Sequence, residues 1–136
     1  MRANMDIVVD TSVIIAVIAN EPKREALVEL TTGADLIAPR SVHWEVGNAF
    51  SAMLRRGRIK VEQAIQAVKL YQRIPIRFVD VELEESLKIA DTLGIYAYDA
   101  YLIRCALKYK SPLISLDGKL VNAAKEMKAR VIEVVK

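Results

Sequence analysis

Short apolar runs alternate with stretches of helical periodicity along the whole chain, and that alternation constrains the fold more than any other feature. Ile7-Val8-Val9 is β-branched and reads as a buried strand. Leu36-Ile37-Ala38, Ile76 to Val79, Leu113-Ile114-Ser115 and Val131 to Val135 read the same way. Between them the spacing predicts helices over Val13 to Ala19, from beyond Pro22 to about Thr31, Val42 to Arg56, Val61 to Arg73, Glu82 to Leu93, Tyr98 to Lys108, and Lys119 to Lys128. Ser41 is the expected cap of the third of these. Strands separated by helices argue for a parallel sheet covered on both faces. The expectation is an α/β fold of three layers, with a short central parallel sheet flanked by helices. In that architecture ligands gather at the carboxyl ends of strands. Asp10 and Asp117 both fall there, each just after an apolar run.

The 136 residues suit one domain spanning 1–136, and 53% hydrophobic with 27% charged residues is a globular balance. A net charge of +3 is only mildly basic. If several carboxylates share one cleft, the remaining surface is more positive than this total, which suits a polyanionic substrate. Cys105 is the only cysteine, so neither an intramolecular disulfide nor a cysteine metal cage can form. The amino terminus lacks a signal pattern, and the apolar run Val13 to Ala19 is too short to span a bilayer. A cytoplasmic protein without membrane contact is expected.

Two further acids fall on helices. Glu45 lies on the margin of the stripe Val42, Val46, Ala49, Phe50 and Met53; Asp99 lies on the stripe of Ile103, Ala106 and Leu107. A carboxylate at the edge of a core is neutral, paired or metal-bound. Each acid also has an ordinary explanation: Asp10 as a helix cap, Glu45 as a solvated residue, Asp99 as a first-turn acid favoured by the helix dipole, Asp117 as a turn residue. Their joint placement, two at strand ends and two at inner helix edges, is what one shared cleft requires. Oxygen-only donors of this kind favour Mg²⁺ or Mn²⁺ over zinc.

Ile7-Val8-Val9-Asp10-Thr11-Ser12-Val13, the lone Glu45, Tyr98-Asp99-Ala100, and Ser115-Leu116-Asp117-Gly118-Lys119-Leu120 together resemble the motifs of PIN-domain ribonucleases, in the same order along the chain. Length points to the VapC-type toxins of that family. The resemblance implies a PIN-like fold in which Asp10, Glu45, Asp99 and Asp117 are catalytic, metal-binding acids, with Thr11, Ser12 and Ser115 as supporting hydroxyls. It implies one or two Mg²⁺ or Mn²⁺ ions, hydrolysis of RNA by metal-activated water, a homodimer, and a small antitoxin that occludes the acidic cleft. Many members carry another acid two residues after the last Asp; Lys119 stands there in this chain.

Arg55-Arg56-Gly57-Arg58-Ile59-Lys60 is the densest basic stretch, read either as a solvated helix end or as an RNA phosphate contact. Arg40, Lys108, Lys110 and Lys119 are further phosphate candidates. Trp44, Tyr96, Tyr98 and Tyr101 could stack bases or pack. His43 has no evident carboxylate partner for general-base work. Three other functional classes stay open: a PIN nuclease of RNA processing without an antitoxin, a PIN-fold binding module without activity, and a receiver-like phosphoryl-transfer domain. The last lacks a second Asp two residues after Asp10 and a Gly-rich phosphate loop.

Overall fold

Strand β1 (Asp6–Val9) occupies the centre, because Ile7, Val8 and Val9 point apolar side chains to both faces and none is more than 2% exposed. The structure, a computed structural model, describes residues 5–134. From β1 the chain runs through helices α1 (Thr11–Ile18) and α2 (Arg24–Thr31) to β2 (Asp35–Pro39), then through α3 (Ser41–Arg55) and α4 (Val61–Gln72) to β3 (Ile76–Val79). Helices α5 (Leu83–Leu93) and α6 (Ala97–Lys108) lead to β4 (Leu113–Ile114), and α7 (Gly118–Glu126) leads to β5 (Val131–Ile132).

All strand pairs are parallel, in the order β3-β2-β1-β4-β5. The chain therefore builds outward from β1 in one direction, then crosses back to build in the other. Right-handed crossovers put helices of the two halves on opposite faces. The contacts agree: α1 touches α2, α3 and α4, whereas α6 touches α5 and α7. This is the expected three-layer α/β arrangement. The reversal of strand order falls between β1 and β4, where open parallel sheets form a crevice at their carboxyl edge.

The expected elements are all present, with ends displaced by a residue or two. Asp10 and Glu82, in extended conformation, precede α1 and α5 as N-caps. Gly94 ends α5 in the left-handed region at φ 64°, which glycine adopts without a Cβ penalty. Two expectations need correction. Ser41 is not a cap: Arg40 holds that position with helical backbone angles and no side-chain cap bond, so Ser41 lies inside the first turn. The last strand covers Val131–Ile132 alone among the described residues, and Val135 lies outside them. No helix among the described residues is long and apolar enough to cross a membrane.

Candidate active site

Asp10 follows the buried run Ile7-Val8-Val9 and is itself only 5% exposed, so both of its carboxylate oxygens must find partners. They do so from two distant parts of the chain. Oδ1 accepts from the Ser12 hydroxyl at 2.7 Å and from the Val13 N–H at 3.3 Å, capping α1. Oδ2 accepts from the Ser115 hydroxyl at 2.7 Å, 105 residues further on. The same hydroxyls accept in turn: Ser12 Oγ from Leu116 N–H at 3.0 Å, and Ser115 Oγ from Asp117 N–H at 2.9 Å. This network ties the end of β1 to the end of β4 and fixes the loop that carries Asp117. Asp117 is exposed, and its Oδ1 caps α7 by accepting from the Lys119 and Leu120 N–H groups. The capping readings of Asp10 and Asp117 are thus realised, and both residues still sit at the crevice.

The electrostatics link all four acids. Burial pushes the Asp10 carboxyl above its usual range despite the bonds from Ser12, Ser115 and Val13, and the charge of Asp117 adds to the rise. Asp99 is raised by burial and by Asp117. Glu45 is pushed up to about 7, first by burial and then by the charges of Asp10 and Asp99. Glu45 feels Asp10 and Asp99, and both of those feel Asp117, so the quartet closes into a ring of mutual repulsion. Among the described residues none of the four forms an ion pair. Nor do any three His, Cys, Asp or Glu side chains stand close enough to make a ready cage for an ion.

A divalent cation fits these donors. The four acids offer oxygen donors, and Glu45 Oε1 is buried with no hydrogen-bond partner. Such an atom costs free energy until a proton or cation meets it. Of the three hydroxyls, Ser12 and Ser115 support Asp10 directly, while Thr11 Oγ1 is buried without a partner.

The other candidates are dispersed. Arg55, Arg56, Arg58 and Lys60 are exposed at the far end of α3, about 15 Å along the helix axis from Glu45. Lys119 is exposed beside Asp117. Arg40, at the end of β2, pairs with Asp80 at 2.9 Å. Lys108 pairs with Glu82 at 3.7 Å, so it points away from the acids. His43 is exposed and its Nδ1 lies 2.9 Å from the Tyr71 hydroxyl. Cys105 is fully buried, and burial pushes its thiol up to about 12, which makes it a packing residue. Trp44, Tyr96 and Tyr98 are exposed rather than packed. Ser41 was missed as anything but a cap, yet its hydroxyl is buried and unpartnered. Only its neighbourhood to Glu45, one turn along the helix, could have flagged it.

Residues 7–126 match the PIN domain family, and the chain belongs to that family. No curated protein sequence matches it. Solved structures share its fold. PAE2754 from Pyrobaculum aerophilum is 20% identical with a TM-score of 0.70, covering 89% of this chain and 87% of that one. VapC20 from Mycobacterium tuberculosis, described as a sarcin–ricin loop cleaving toxin, is 17% identical with a TM-score of 0.62, over 86% of this chain and 94% of that one. VapBC2 from Rickettsia felis, solved with a DNA fragment from its promoter, is 14% identical with a TM-score of 0.66, over 95% and 98%.

Proposed function

We propose that this protein is a metal-dependent endoribonuclease and the toxin of a VapBC-type toxin–antitoxin pair. The observation that carries the reading is the ring of four acids at the switch point of the sheet, in ion pairs with none of the described cations, with Glu45 raised to about 7 and one of its oxygens left without a partner. Asp10 and Asp99 are the main direct ligands for one or two Mg²⁺ or Mn²⁺ ions, with Asp117 a ligand directly or through water. Glu45 is a ligand or holds the attacking water in line with the scissile bond. A divalent cation held there supplies charge neutralisation and a more acidic water. Asp10, fixed by Ser12 and Ser115, cannot swing away when substrate arrives. Hydrolysis leaves a 5′-phosphate and a 3′-hydroxyl.

Arg40, Arg55, Arg56, Arg58, Lys60 and Lys119 are the phosphate contacts of this reading; Lys119 is nearest the acids in sequence. The toxin assignment draws support from the fold shared with VapC20 and VapBC2. It includes a single domain, a homodimer, a cytoplasmic location, and an antitoxin whose basic side chain is drawn to the uncompensated acids.

Purified protein is incubated with structured and single-stranded RNAs, Mg²⁺ or Mn²⁺, and an Asp10→Asn control. Cleavage by the parent protein that is lost both with EDTA and in the Asp10→Asn protein supports the reading. Equal cleavage by both proteins overturns it.

A further inference from the structure

Beside the acids, along the same carboxyl edge, lies a hollow of about 270 Å³ whose lining includes Pro39, Arg40, Ser41, Asp80, Leu83 and Tyr101. Strand register fixes its position. Pro39 pairs with Val79, and extending the Val8–Ile37 pairing by two residues sets Pro39 level with Asp10. Neighbouring strands lie about 4.8 Å apart, so the hollow begins one strand from Asp10 and ends two strands away. It also shares both helices with the site: Ser41 is one turn from Glu45 on α3, and Tyr101 is two residues beyond Asp99 on α6.

We propose that this hollow is a nucleobase subsite, holding the base of a nucleotide that flanks the scissile linkage. The proposal rests on the RNA-cleavage reading of the acids. Pro39, Val79 and Leu83 give it apolar walls. Tyr101 is half-buried and meets the exposed Tyr98 edge-to-face, with ring centroids 6.0 Å apart, which leaves an aromatic surface at the hollow. Ser41 carries a buried hydroxyl without a hydrogen-bond partner, a group that gains by meeting the polar edge of a base. Arg40 is held only by Asp80, with side chains 69% and 78% exposed. Such a pair is weak in water, and a phosphate group can take over the guanidinium. The volume falls below the roughly 300–1,000 Å³ of sites for drug-sized ligands, which suits one ring system. A docked protein segment, such as one from the proposed antitoxin, is the rival occupant and would sit equally near the acids; the exposed Arg40, open to a phosphate, favours nucleic acid.

The test uses oligoribonucleotides carrying the fluorescent base 2-aminopurine at successive positions, with Ca²⁺ in place of Mn²⁺ and the RNA verified as uncut on a gel after each titration. They are titrated with the parent protein, Tyr101→Leu, Tyr101→Phe and Ser41→Ala. Fluorescence is expected to be quenched at one position. Tyr101→Leu should abolish that quench and weaken binding about tenfold, while Tyr101→Phe keeps both. With cleavable RNA, Tyr101→Leu should raise KM about tenfold and change kcat less than twofold, and an abasic site at the quenched position should erase the difference from the parent. Ser41→Ala should alter the preference among the four bases at that position alone. Quenching at every position or none overturns the proposal. So does a Tyr101→Leu protein that binds oligonucleotide as the parent does but changes its mass in light scattering, which would make the hollow a protein interface. If the acids are not a nuclease centre, the parent leaves cleavable RNA intact while the titration still reports on the hollow, so the two failures are distinct.

Discussion

Two glutamates on opposite sides of α6 show how differently this fold treats the same side chain. Glu82 faces Arg104 at 3.0 Å and Lys108 at 3.7 Å, and the hydrogen bond from Arg104 holds its carboxyl down at about 2. Glu45 faces Asp10 and Asp99 and, half-buried, is pushed up to about 7. Around Glu82 the protein supplies its own cations. Around Glu45 it supplies more acids. Among the described residues the fold neutralises a carboxylate on one flank and pairs none of the four at the switch point, the place the proposed metal would fill.

The sharpest way to break this contrast is to remove one charged side chain from each region. Asp99→Asn should lower metal-dependent RNA cleavage by at least ~100-fold, whereas Arg104→Gln should leave the rate within about twofold. Comparable losses in both would mean that the acid ring has no special role. Next in size is the response to metal. Mn²⁺ at a hundred times its dissociation constant contributes about 2.7 kcal/mol, which for a chain of this length raises the melting temperature by roughly 8 °C. Scanning calorimetry with and without EDTA measures it, and an unchanged transition would remove the metal from the account.

A smaller effect separates the two glutamates by pH. Folded Glu45 keeps its proton up to about 7, against 4.5 ordinarily, so the folded state binds more protons between those values. Stability of the metal-free protein therefore falls as pH rises through that window, by ~1–2 kcal/mol after allowance for solvent screening. Urea unfolding of Glu45→Gln at pH 5 and pH 8 should show that loss removed; an identical pH dependence in both proteins would contradict it. Glu82 behaves oppositely, its contribution being present above its ordinary 4.5 and lost as pH falls toward about 2. The smallest effect belongs to an exposed pair: Arg77→Gln, which breaks the 3.3 Å contact with Asp6, should cost less than about 1 kcal/mol in the same assay.

Much of this was legible in the residues, and the exceptions have physical causes. Ile7-Val8-Val9 could only be an inner strand, and Asp10 at its end could only face the carboxyl edge. Glu45 and Asp99 were placed by helical period alone, and both are half-buried as that period requires. Ser41 was misread because a serine before a helical run looks like a cap, whereas Arg40 already holds helical angles and takes the position. The basic run Arg55 to Lys60 was conspicuous in sequence, but α3 points it away from the acids, since strand-to-helix geometry puts only the first turns of that helix at the crevice. The Glu82–Arg104–Lys108 group was invisible, because Glu82 lies 22 or more residues before both of its basic partners.

The bond from Ser115 to Asp10 has a consequence for how the molecule comes into being. Its two partners lie 105 residues apart, so the contact closes only after the intervening chain has been made. A nascent chain shorter than that span has an incomplete acidic centre whatever else has already folded. Any cutting power residing there waits until both halves of the sheet are in place.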